Sequence, residues 1–227
     1  LKIGGEKKKM EHSKPIIRGE LALAIAVIIN SFSVVLMLYS GSGISAISSV
    51  PYAFSEVFKN ITLGTWTYIF QGILVLSLMI LRKKFVPPYL FSFVVGFAFS
   101  ELLDVNELWI HILPQTMVCR IIYFLVSYFL LSIGIALSNR CCLPIIPTDL
   151  FPRELSDIIG KAYSKIKISF DVICLAVTAS MTGILLGHLD GLGIGTILAA
   201  FTMGKAVSLV GSWIDQRVQF ISVLSAK

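Results

Sequence analysis

Two opposite charges stand where charge is least expected: Lys205 in the middle of the apolar run Ile194 to Trp213, and Glu101 late in the run that follows Pro87 and Pro88. An ionisable group at the centre of a bilayer costs about 2.5 to 3.5 kcal/mol on insertion scales unless it faces protein or water. The expected chemistry is a mid-depth ammonium–carboxylate pair, acting as a structural ion pair or as a site for a solute or proton. Snorkelling of Lys205 toward the surface is the remaining reading. A second constellation is Asp149, Arg153, Glu154 and Asp157, with Asp171 one turn into a later apolar run. Asp149, Arg153 and Asp157 recur every four residues, which puts them on one helical face where they can pair. Such a segment is either an amphipathic surface helix with Asp149 as its cap before Pro152, or a re-entrant segment lining a water-filled cavity. Asn30 and Gln71 are uncharged polar residues within apolar runs, suited to interhelical hydrogen bonds or to solute contact.

Other chemistries lack their residues. Cys119, Cys141, Cys142 and Cys174 form no C-x-x-C, and His12, His111 and His188 are scattered. No metal, no cofactor and no disulfide framework are expected. There is no H-E-x-x-H, Walker A or G-x-S-x-G pattern, so the chain is not expected to be an enzyme.

The elements that position these residues follow from composition. Of 227 residues, 56% are hydrophobic and only 14% charged, with mean hydropathy +0.86, whereas soluble domains carry roughly a quarter charged residues. The expected class is an all-α polytopic membrane protein. Six runs each approach the roughly 20 residues a spanning helix needs: Leu21 to Tyr39, about Gly64 to Leu81, Pro87 to Leu103 or beyond, Met117 to Leu137, Phe170 to Leu186, and Ile194 to Trp213. Gly183, Gly187, Gly191 and Gly195 read as a small-residue ridge between the last two.

Orientation follows from the basic residues. With the N-terminus inside, sixteen of the nineteen Lys and Arg fall on the inner side and two, Lys59 and Arg120, outside; Lys205 is within a span. Both ends are therefore expected in the cytoplasm. The net charge of +6 is this bias, and nucleic acid is excluded as a partner. The lipid bilayer is the expected partner, while a homo-oligomer or a partner subunit stays open. Residues 1–17 form a basic cytoplasmic arm, with Met10 a natural start and the nine residues before it upstream sequence. Residues 18–227 form one six-span domain.

The halves of that domain correspond. Pro51-Tyr52-Ala53-Phe54-Ser55-Glu56-Val57 matches Pro152-Arg153-Glu154-Leu155-Ser156-Asp157-Ile158 at an offset of 101, and Arg18 and Arg120 each precede an apolar run. Each half reads as a span, a short helix started by proline, and two more spans. Repeat one covers about 18–113 and repeat two about 117–216. Three spans is an odd number, so the second repeat enters from the opposite face. Inverted three-helix repeats of this kind occur in secondary transporters, with the site where the repeats meet.

Three segments carry a family resemblance: Leu63-Gly64-Thr65-Trp66, the stretch Ile146-Pro147-Thr148-Asp149-Leu150-Phe151-Pro152-Arg153-Glu154-Leu155, and Leu192-Gly193-Ile194-Gly195-Thr196. On these, nearly the whole chain from Arg18 resembles the YczE/YyaS/YitT-like bacterial membrane proteins. The resemblance implies a multi-pass, transporter-like protein of the bacterial cytoplasmic membrane and brings no site residues with it. The expected function is a small-solute transporter with its substrate undefined. Glu101 and Lys205 would lie at mid-depth and Asp149, Arg153, Glu154 and Asp171 at the cytoplasmic mouth, with Asn30 in the first span and Gln71 in the second as further candidates. The alternative is a non-transporting membrane scaffold or regulatory subunit.

Overall fold

The structure, a computed structural model, describes residues 15–189 and 191–222. The lysines of the N-terminal arm, together with His12, Asp190 and Lys227, lie outside the described residues. Six helices are long and apolar enough to cross a membrane: α1 (Gly19–Tyr39), α3 (Leu63–Arg82), α4 (Pro87–Ile110), α5 (Met117–Ser138), α7 (Tyr163–Leu185) and α8 (Ile194–Arg217). Two short helices, α2 (Ala46–Val57) and α6 (Pro147–Ile159), follow α1 and α5. Two three-residue strands, β1 (Ile16–Arg18) and β2 (Gln219–Ile221), pair in parallel and join the two ends of the described chain on one face of the molecule. We call this the terminal face.

Helix is the local solution because apolar surroundings offer no water to satisfy backbone N–H and C=O groups. Thr62 and Thr116 cap α3 and α5 by accepting from the Thr65 and Cys119 backbone N–H groups at 3.2 and 3.4 Å. Pro87 and Pro88 open α4, where a missing N–H costs nothing. The third span continues to Ile110, as the sequence allows, but α7 begins at Tyr163, seven residues before the apolar run at Phe170. That extension draws Lys167 into a span.

The packing partners follow a pattern. α1 packs on α5 and α4, and α5 packs on α1 and α8; α3 lies on α4, and α7 on α8. Helix α2 contacts α3, α7 and α8, while α6 contacts α7, α3 and α4. One apolar cluster joins α1, α4, α5 and α8, and a second centres on α2, α3, α6 and α7. The outward faces of the spans are apolar too, with Ile80, Leu108, Ile184 and Ile194 among the most exposed side chains, a surface suited to lipid.

Two expectations need correction here. Pro51 and Pro152 do not start the short helices; each is the sixth residue of its helix. The glycine ridge between the last two helices is also absent. A Cβ on Gly183 or Gly187 would meet nothing within 4 Å, whereas one on Gly191 would strike Tyr52, and one on Gly195 would strike Phe124 and the Ser42 carbonyl. The segment at 191–195 instead docks on the Gly41–Gly43 loop, with the Gly195 N–H donating to the Ser42 carbonyl at 2.9 Å and the Ile44 N–H to Gly191 at 3.3 Å.

Candidate functional site

Helices α2 and α6 both begin inside the protein and end at its surface. Their first halves are buried, from Ala46 to Pro51 and from Pro147 to Pro152. Both starts line one small cavity, through Ser45 to Ser48 and through Ile146, Thr148 and Asp149. The prolines sharpen this arrangement. Pro51 and Pro152 have no N–H for the carbonyls four residues earlier, which belong to Ile47 and Thr148, both on the cavity wall. The cavity thus receives the positive ends of two helices, and beside it each short helix has one carbonyl deprived of its usual helical donor.

Five spans complete it. α1 contributes Asn30, α7 contributes Lys167 and Asp171, and Phe99, Leu131 and Met203 close the wall from α4, α5 and α8. The cavity measures about 20 Å³, room for roughly one water. Lys167 donates to Asp171 Oδ1 at 2.5 Å, one turn away on α7, and both side chains are nearly inaccessible. Asn30 Nδ2 donates to Asp149 Oδ2 at 3.3 Å, while Asn30 Oδ1 has no partner. Two carboxylates face one ammonium, so the fully ionised cluster carries one excess negative charge. Asp149 belongs to α6, outside the six spans, and burial pushes its carboxyl up to about 6, against the pull of Lys167 and Arg153. A proton, or one small cation, would neutralise the cluster.

The structure divides the residues singled out from the sequence. Asn30, Asp149 and Asp171 meet at the cavity. Gln71 is fully buried but outside the cavity wall, its amide unpaired beside Gly96 and Pro147. Arg153 and Glu154 line a separate groove on the terminal face, at the α3–α4 turn. There Glu154 is ion-paired with Arg82 and accepts from the Tyr89 hydroxyl at 2.5 Å. Arg153 lies 3.9 Å from Glu154 and forms no ion pair with Asp149 or Asp157, because α6 runs from the interior to the surface and separates the charges along its length. Glu101 and Lys205 do not meet. Both are exposed on the outer faces of α4 and α8, and neither has an ion pair among the described residues.

The residue missed by sequence reading is Lys167, counted there as a loop charge. Its signal was the four-residue spacing to Asp171, which lets the two pair on one helical face.

Glycines make room for the polar groups. A Cβ on Gly134 would fall 2.0 Å from Asn30 Oδ1, and one on Gly96 would fall 2.0 Å from Gln71 Oε1. Gly134→Ala should therefore displace Asn30 from Asp149 and lower stability by about 1 to 3 kcal/mol, read as a lower midpoint of thermal unfolding in detergent.

A family model described as a family of unknown function, DUF6198, covers residues 17–212. No curated protein and no solved structure matches the chain. The matched region contains all three segments on which the resemblance seen in the sequence rests.

Proposed function

The chain belongs to the DUF6198 family of unknown function, and from that premise we propose that it is a proton-coupled transporter of a small solute, built from two inverted repeats and closed around its central site. The observation that carries this reading is the enclosed cluster of Asp149, Lys167, Asp171 and Asn30. Buried ion pairs are a poor source of stability, since apolar replacements often serve as well. Ionisable groups held inside a membrane protein point to ion or substrate pathways.

The repeat reading draws support from the packing. Exchanging α1 with α5, α2 with α6, α3 with α7 and α4 with α8 returns the same set of helix contacts. It also pairs residues: Thr67 and Gln71 are the fifth and ninth residues of α3, as Lys167 and Asp171 are of α7. Ser48 stands against Asp149, each the third residue of its short helix. The charged residues of the site then have neutral counterparts in the other repeat, an asymmetry suited to vectorial movement.

Depth supports a re-entrant reading of α6. A Cβ on Gly19, the first residue of α1, would touch the Cys141 carbonyl, yet Asp149 meets Asn30 eleven residues further on, roughly 16 Å along the helix. The chain would descend to mid-depth and α6 would return it. In the bacterial cytoplasmic membrane, with both ends in the cytoplasm as the basic residues favour, α6 opens toward the cytoplasm. Alternating access would then open the cavity to each side in turn.

The test combines two measurements. Detergent-purified protein is screened by thermal unfolding against amino acids, organic anions, nucleobases and vitamins, where a ligand at 100 times its dissociation constant adds about 2.7 kcal/mol. Hits are then applied as gradients to proteoliposomes containing a pH-sensitive dye. Solute-dependent proton movement that Asp149→Asn removes is the expected result. Folded protein that answers no solute in either assay overturns the reading and leaves the scaffold.

A further inference from the structure

Glu101 and Lys205 have no partner within the described chain, and each sits at the centre of an apolar outward stripe. On α4 the neighbours along the stripe are Val94, Phe97, Val105 and Leu108; on α8 they are Leu198, Phe201 and Leu209. A bare charge in such a stripe is expensive in hydrocarbon. Neither side chain reaches an interface easily: Lys205 lies eleven residues from one end of α8 and twelve from the other, roughly 16 and 18 Å.

The two charges lie at matching depth. α4 is the third span and α8 the sixth, so the start of α4 and the end of α8 lie on the same face of the membrane. Glu101 is fourteen residues after Pro87, and Lys205 twelve before Arg217. At 1.5 Å per residue these depths are roughly 21 and 18 Å. Copies in one membrane share an orientation and are related by an axis along its normal, which keeps every residue at its own depth. Opposite charge, equal depth and apolar surroundings on two outward faces are what a contact between identical chains requires.

We propose that this protein self-associates in the membrane, with α4 of one copy packed against α8 of the next and Glu101 of one copy paired with Lys205 of the other. The pair neutralises both charges in an interface that excludes lipid. Association in the membrane is driven by packing and polar contacts, since lipid tails are as apolar as the faces they leave.

The test uses charge reversal in the full chain carrying two different tags. Association is read by co-purification and by subunit counting in liposomes across a range of protein-to-lipid ratios. Glu101→Lys places two like charges at every self-contact, and so does Lys205→Glu. Each alone should weaken self-association by about tenfold or more. The two variants expressed together should associate again, because each contact between unlike copies then joins a Lys to a Glu. An intramolecular pair cannot give that mixed rescue. Thermal unfolding of each single variant should stay close to the wild type, since neither side chain has a partner within the chain. Wild-type protein that remains monomeric at every ratio, or a mixture that fails to associate, overturns the proposal.

Discussion

Lys167→Met should destabilise the protein by about 3 to 5 kcal/mol, the usual cost of removing one partner from a buried ion pair. Asp171 would keep its charge with no other cation on the cavity wall, or take up a proton and lose its bond to Nζ. Lys167 is 2% exposed and Asp171 1%, so solvent cannot replace the lost contact. The double variant Lys167→Met with Asp171→Leu should recover most of the loss, because an apolar pair of similar volume avoids desolvating two charges. Thermal unfolding in detergent reads both effects. On the transport reading, the rescued double variant folds but no longer answers solute or a proton gradient. Recovery of both fold and transport would show that the pair is structural.

Asp149→Asn should make the protein more stable than the wild type at pH 8 and nearly equal to it at pH 4. The sign follows from burial. The Asp149 carboxyl is raised from its ordinary 3.8 to about 6, so the folded state holds a proton that the unfolded chain has released. Wild-type stability is therefore highest below about pH 4, falls as pH rises through about 6, and levels off above it. The total loss is about 3 kcal/mol. Asparagine carries no such penalty, and its side-chain oxygen can still accept from Asn30 Nδ2. Unfolding midpoints of both proteins across pH 4 to 8 give the comparison. On the transport reading, the same substitution should remove the pH dependence of solute uptake in proteoliposomes, since the site would then lack the group that exchanges a proton. A variant whose unfolding tracks the wild type at every pH would place the titrating group elsewhere.

Both predictions depend on residues whose roles were legible to different degrees. Asn30, Asp149 and Asp171 stand out in the sequence because polar groups in or beside apolar runs are costly. The two proline-containing segments stand out because they match at a fixed offset. Lys167 was hidden by the rule that reveals spans. That rule reads a helix from an unbroken apolar run, and a buried Lys–Asp pair on one helix face breaks the run without breaking the helix. Glu101 and Lys205 were legible as anomalies but read as meeting within one chain, whereas both are exposed on outer helix faces.

The sequence by itself determined the number of spans, the short helix after the first and fourth, three polar residues of the site (Asn30, Asp149 and Asp171) and the absence of familiar catalytic motifs. These are properties of composition and of position along the chain. The tertiary structure decided which way each residue faces. It turned Asp149, Lys167 and Asp171 toward one cavity, moved Arg153 and Glu154 to a surface groove, and left Glu101 and Lys205 on the outside. In water an apolar face points inward, and periodicity identifies it. In lipid both faces of a helix are apolar, so periodicity no longer separates inside from outside. Only the packing of neighbouring helices sets the rotation of α4, α7 and α8, and with it which charges meet.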